Sequence, residues 1–106
     1  MRVLFDQGTP VPLRRALGAH SVSTAFEMGW AELDNGELLE AAESAFDVLV
    51  TTDKNLQYQQ DLGRRRLAVL VLPTTSWPIL RTHVATILAA LNELRAGDLR
   101  ALSFPR

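Results

Sequence analysis

The run Phe46-Asp47-Val48-Leu49-Val50-Thr51-Thr52-Asp53 contains consecutive apolar residues with no polar alternation, and Leu67-Ala68-Val69-Leu70-Val71-Leu72 repeats the pattern until Pro73 stops it. A strand with one wet face alternates apolar and polar residues, whereas a strand that is apolar throughout needs cover on both faces. Two such strands separated by stretches of helical periodicity restrict the chain to an α/β fold. The sheet is mostly parallel with helices on both sides, because each crossover returns the chain to the same end of the sheet. Val3-Leu4-Phe5 is a third short run of this kind; it ends at Asp6 and breaks at Gly8-Thr9-Pro10.

The remaining segments fit between these strands. Pro12 opens a helix over 13–17 that Gly18 ends, and the alternation of His20-Ser21-Val22-Ser23-Thr24-Ala25 predicts a partly wetted edge strand. Phe26 to Trp30 reads as a helical turn closed by Gly29. Asp34 with Glu37 three residues on has the form of a capping box, with Asn35 as the alternative cap, before a helix that buries Leu38, Leu39, Ala42 and Phe46. A short glutamine-rich helix is expected over 56–62. A long one, capped by Ser76 and ended by Gly97, runs to about Leu94 with Leu80, Val84, Ile87, Leu88 and Leu91 inward. Leu99 to Phe104 supplies a last edge strand.

With 106 residues and no linker, repeat or low-complexity stretch, residues 1–106 form one domain. The absence of cysteine excludes disulfide scaffolds, thiol nucleophiles and thiolate zinc sites, so a metal would be held by oxygen or imidazole. No apolar stretch approaches the roughly 20 residues that span a bilayer, and the amino terminus meets Asp6 too early for a signal peptide, so a cytoplasmic protein with no membrane partner is the default. Eleven basic against twelve acidic residues give a net charge of −1 and no overall pull toward nucleic acid. No phosphate-binding glycine loop or Gly-x-Ser-x-Gly elbow occurs, and His20 and His83 have no partner at metal-ligand spacing. Trp30 and Trp77 read as core residues more simply than as a partner surface.

Asp6 and Asp53 each lie just past the carboxyl end of an apolar strand, the edge at which open parallel sheets carry their sites. Two readings are open. If the strands are neighbours, the carboxylates share a pocket whose repulsion an oxygen-seeking Mg²⁺ or Mn²⁺ relieves; otherwise each is a local turn former or cap. Asp34 and Glu37 are candidates for further metal ligands, although the capping box accounts for them equally well. Thr51, Thr52, Lys54, Asn55, Asn35 and Arg14 are candidates for contact with a phosphate-bearing substrate.

The segments Val3-Leu4-Phe5-Asp6-Gln7-Gly8-Thr9-Pro10 and Phe46-Asp47-Val48-Leu49-Val50-Thr51-Thr52-Asp53-Lys54-Asn55-Leu56, with Gly29-Trp30 and Asn35-Gly36-Glu37-Leu38-Leu39-Glu40-Ala41-Ala42 between them, resemble the PIN-like proteins of the DUF5615 group. That group resembles compact relatives of the PIN-domain toxins of toxin–antitoxin pairs. The likeness covers nearly all of the chain. It implies a three-layer α/β/α sandwich and Mg²⁺- or Mn²⁺-dependent cleavage of RNA, with Asp6 and Asp53 as the catalytic, metal-holding acids and an antitoxin protein as a partner. The chain departs from the pattern where relatives tend to read Asp-Glu-Asn, Ser-Asp and Thr-x-Asp-x-Asp: it has Asp6-Gln7-Gly8, Asp34-Asn35 and Thr51-Thr52-Asp53-Lys54-Asn55. Expected acids thus fall on the amides Asn35 and Asn55, which bring no charge to a cation.

The leading expectation is a metal-dependent ribonuclease. The alternative is a catalytically weak or inactive PIN-like module that binds RNA or protein, and a phosphatase of small substrates is a third reading. The broad apolar face of residues 76–94 points to a homodimer.

Overall fold

The structure is a computed structural model and describes residues 1–58 and 65–104. One sheet holds β1 (Arg2–Phe5), β2 (Ser21–Thr24), β3 (Val48–Thr51), β4 (Ala68–Val71) and β5 (Leu99–Ala101) in the order β2-β1-β3-β4-β5. Every neighbouring pair is parallel. The helices are α1 (Leu13–Ala16), α2 (Asn35–Glu43), α3 (Trp77–Leu80) and α4 (Val84–Glu93), with 3-10 turns at Lys54–Tyr58 and Arg81–His83.

The two-faced apolar strands explain the layers. Successive side chains of a strand point to opposite faces, so Val3, Phe5, Val48, Val50, Ala68 and Leu70 pack with Leu13 of α1, Leu80 of α3 and Ile87 and Leu91 of α4. Leu4, Leu49, Val69 and Val71 pack on the other face with Leu38, Leu39 and Ala42 of α2 and Leu56 of the 3-10 turn. The expected three-layer α/β/α architecture is therefore present. β2 and β5 form the wetter edges, and β1, β3 and β4 are the covered interior.

The register of β1 on β3 pairs Val3 with Val48, Leu4 with Leu49 and Phe5 with Val50. The chain leaves β1 for β2 on one side and leaves β3 for β4 on the other, so connections reverse between β1 and β3. That gap is where a doubly wound sheet opens a crevice beyond its strand ends.

Several expectations change. The long helix over 76–94 is broken at Arg81–His83: the Thr82 hydroxyl donates to the Ile79 carbonyl at 2.7 Å, competing with helical bonding, and His83 leaves helical angles at φ −122°, ψ 22°. Leu80, Ile87 and Leu91 of its inward stripe are fully buried against the chain's own sheet and Leu88 is partly buried there, while Ile79 in the same segment is exposed. The helical turn expected from Phe26 is present as a turn over 25–29, with the Met28 N–H donating to the Thr24 carbonyl at 3.1 Å and Gly29 closing it at φ 77°. The glutamine-rich helix begins earlier than expected, as the 3-10 turn from Lys54, and positions 59–62 of that expectation lie outside the described residues. α1 ends without a left-handed glycine at Gly18. Trp30 and Trp77 are half-buried against the two core clusters, and the His83 ring stacks on Phe104 at 4.0 Å. Among the described residues no helix is long and apolar enough to cross a membrane.

Candidate active site

The register of β1 and β3 dictates the first contact of the site. One step beyond the Phe5–Val50 pair, Asp6 meets Thr51 on the face of Leu4 and Leu49, and the Asp6 N–H continues the ladder to the Val50 carbonyl at 3.1 Å. The fully buried Thr51 donates its hydroxyl to Asp6 Oδ2 and accepts the Asp53 N–H at 3.0 Å. One threonine thus ties the two acid-bearing loops together.

Asp6 and Asp53 line one cleft, and each is also held by local hydrogen bonds. Asp53 is a local turn former, accepting the Asn55 N–H on Oδ1 at 2.9 Å. It also lines, together with Asp6, one open cleft of about 260 Å³ whose walls include Gly8, Trp30, Asn35 and Thr52. Asn35, the first residue of α2, donates its side-chain amide to Asp53 Oδ2 at 3.1 Å. An amide at this position supplies a hydrogen-bond donor to Asp53 and no charge. Asn55 contributes its backbone N–H.

Gly8 earns its place by close approach: a Cβ there would lie 2.5 Å from Thr52 Oγ1, so the loop after β1 passes over Thr52 only without a side chain. Thr9 is a site residue that sequence reading passed over. It is buried, and its hydroxyl reaches Asp6 Oδ1 at 2.8 Å and the Val50 carbonyl at 3.0 Å. The signal was available as an acid followed three residues later by a hydroxyl, the spacing of a side-chain-closed turn.

Other candidates stand apart from this cleft. Asp34 and Glu37 bind each other's backbone as a capping box: the Glu37 N–H donates to Asp34 Oδ1 at 2.8 Å, and the Asp34 N–H donates to Glu37 Oε1 at 3.1 Å. Among the described residues no three acids or histidines gather as a metal cluster, so these two carboxylates do not join Asp6 and Asp53. Lys54 is exposed at the start of the 3-10 turn, next to Asp53. Arg14 lies in a neighbouring cleft, where its guanidinium binds both oxygens of Glu27. That guanidinium, with the Thr24 N–H, holds the Glu27 carboxyl below the usual range.

A larger cleft of about 390 Å³ lies at the amino edge of the sheet, but its acids are already paired with its arginines, Asp47 with Arg2 and Glu43 with Arg66. Glu43 is a structural residue there, accepting the N–H groups of Arg66 and Leu67 at 2.8 and 2.9 Å.

The donor set at the carboxyl edge fits a hard cation in one specific way. All four oxygens of Asp6 and Asp53 accept one hydrogen bond from the chain, and each keeps a second acceptor site. Two carboxylates do not make a closed cage, but Mg²⁺ is commonly held by one or two carboxylates together with substrate phosphates and water. Asp6 and Asp53 would hold such an ion in part and leave the rest of its coordination to the substrate. Compared with protein-family models, curated proteins and solved structures, the chain matches none.

Proposed function

We propose that this protein is a metal-dependent phosphodiesterase acting on RNA, a PIN-like ribonuclease in which Asp6 and Asp53 share one Mg²⁺ or Mn²⁺. The observation that carries the reading is the Thr51 bridge, which binds Asp6 Oδ2 and the Asp53 amide and so fixes two carboxylates in one cleft at the reversal point of the sheet. When bound, the cation supplies charge neutralisation at the phosphate and a more acidic water.

The chain's own groups do the positioning. Thr9 and Thr51 orient Asp6, Asn35 and the Asn55 amide orient Asp53, and exposed Lys54 stands beside Asp53 to meet backbone charge. In the hydrolysis a water oxygen bonds to phosphorus while the bond to one ribose oxygen breaks, and that oxygen takes up a proton. The resemblance to the DUF5615 group supports the choice of RNA, and an antitoxin partner rests on that resemblance alone.

The test joins calorimetric Mn²⁺ titration to cleavage of a labelled single-stranded RNA. Wild type is expected to bind Mn²⁺ weakly alone and more tightly with RNA present, and to cut RNA only with the metal. Asp6→Asn or Asp53→Asn should lower cleavage by about 10²-fold or more, the scale of losing a preorganised electrostatic group. No cleavage, and no Mn²⁺ binding even with RNA present, would refute the reading. A catalytically inactive PIN-like binding module is the second reading, favoured by the Asn35 amide on Asp53, which satisfies the carboxylate without a cation. RNA or protein binding that survives Asp6→Asn, without cleavage by wild type, selects it.

A further inference from the structure

Phe26 is 76% exposed, yet nothing about its backbone is loose. On one side the Ala25 N–H donates to the Phe5 carbonyl at 2.8 Å, and the Ala25 side chain is buried. On the other, Thr24 and Glu27 exchange hydrogen bonds, the Thr24 N–H to Glu27 Oε1 at 2.9 Å and the Glu27 N–H to Thr24 Oγ1 at 3.1 Å. Arg14 clamps the Glu27 carboxylate, and the Trp30 N–H returns to the Ala25 carbonyl at 2.8 Å around left-handed Gly29. These bonds hold the Phe26 backbone at the surface. A large aromatic held in water by a hydrogen-bonded frame is a preorganised contact surface.

What the ring faces narrows its occupant. Phe26 lines an open cleft of about 300 Å³ with Gln7, Thr9, Val11, Thr24 and the Arg14–Glu27 pair, and Asp6 is part of the same wall. Asp6 and Gln7 also line the acid cleft, so the loop after β1 is a wall common to both. Farther out, Arg15 is exposed in an adjoining depression with Val11 and Pro12, and among the described residues it makes no salt bridge. An acidic cleft, an exposed aromatic ring and a cation without a salt bridge thus border adjoining depressions that share Asp6, Gln7, Val11 and Arg14 as walls. Single-stranded nucleic acid is generally gripped by this combination of stacking surface and positive charge.

We propose that Phe26 is a stacking platform for an unpaired nucleobase of RNA, seating the base beside the phosphate held at Asp6 and Asp53. The proposal rests on the phosphodiesterase reading for the position of the phosphate, but its central contact is independent of any metal.

The test therefore removes the metal. In an Asp6→Asn, Asp53→Asn background shown by circular dichroism to be folded, and with EDTA present, anisotropy of a short labelled single-stranded RNA reports binding without cation or carboxylate repulsion. Phe26→Ala, which truncates an exposed side chain and so leaves the fold intact, should weaken binding roughly 5- to 150-fold, the worth of one stacked base. Phe26→Trp should bind at least as tightly as the parent, and RNA should quench its indole emission beyond the quench of Trp30 and Trp77. Phe26→Leu should fall with alanine. Equal affinity of the alanine, leucine and parent proteins overturns the proposal, as does absence of RNA binding by the parent. A Phe26-dependent dimer or protein complex without RNA binding overturns it too, assigning the ring to a protein interface. Phe26-dependent RNA binding in a protein whose wild type never cuts RNA or binds Mn²⁺ upholds the platform and removes only the nuclease reading.

Discussion

Replacing Thr51 by valine isolates the bridge on which the site depends. Thr51 is fully buried in β3, and valine has its shape and favours strands, so the change leaves neither cavity nor backbone strain. It removes the bond to Asp6 Oδ2 and the acceptor of the Asp53 N–H. A hydrogen bond to an ionised carboxylate is worth roughly 1.5–3 kcal/mol and a neutral one about 1 kcal/mol. Water reaching the half-buried Asp6 recovers part of the first, and exchanging a hydroxyl for a methyl among apolar neighbours returns about 1 kcal/mol. The expected net loss is about 2 kcal/mol. With a urea slope of about 2 kcal/mol/M the unfolding midpoint falls by about 1 M, and the melting temperature falls by roughly 10 °C. Thr51→Ser keeps both bonds and loses one buried methyl, about 1 kcal/mol. Urea titrations of the three proteins should rank wild type, serine, valine. A valine variant as stable as wild type, or more stable than serine, would refute the bridge.

Two further substitutions probe the surroundings of the site. Asn35→Asp puts an acid beside Asp53 in place of the amide donor at 3.1 Å; it should lower metal-free stability by about 1–2 kcal/mol and tighten Mn²⁺ binding in calorimetry, and unchanged Mn²⁺ affinity would show that position 35 does not reach the ion. Glu43→Gln tests the clamp on the start of β4. Burial pushes the Glu43 carboxyl up, but the amides of Arg66 and Leu67 outweigh it and hold the group below the usual range. A depressed folded value stabilises above the ordinary glutamate value and is lost as pH falls through the folded one. The variant should therefore be less stable by about 1–2 kcal/mol at neutral pH, with the gap to wild type closing in acid; a gap constant with pH in urea titrations would refute the clamp.

How much could be read in the sequence follows from where the determining interactions lie. The interior strands were legible because two-sided burial leaves an apolar signature in consecutive residues, Val48-Leu49-Val50 and Ala68-Val69-Leu70-Val71. The cap of α2 was legible because Asp34 and Glu37 are local partners. The break in the helix over 76–94 was not, since apolar spacing continues through Thr82 and His83 while the Thr82 hydroxyl diverts the Ile79 carbonyl. Both acids could be named from their strand ends, but their union depended on β1 lying beside β3 and on a register that puts Asp6 opposite Thr51, which no local pattern encodes. Arg14 looked like a phosphate contact because its partner Glu27 lies 13 positions away across β2.

Net charge constrains how such a site can hold RNA. A protein of charge −1 has no field to draw a polyanion, and two carboxylates in the cleft repel one. On the proposed reading the grip would be short-ranged: a cation shared with the phosphate at Asp6 and Asp53, one or two side-chain charges such as Lys54 and Arg15, and an uncharged surface such as the Phe26 ring. Few neutralised phosphates release few counterions, so affinity should fall only gently with salt. The same economy favours unpaired RNA over duplex, because only an unpaired base can present its face to an aromatic ring. The near-neutral composition that argued against a general nucleic-acid binder is therefore compatible with a small enzyme that holds one or two nucleotides closely at the reversal point of its sheet.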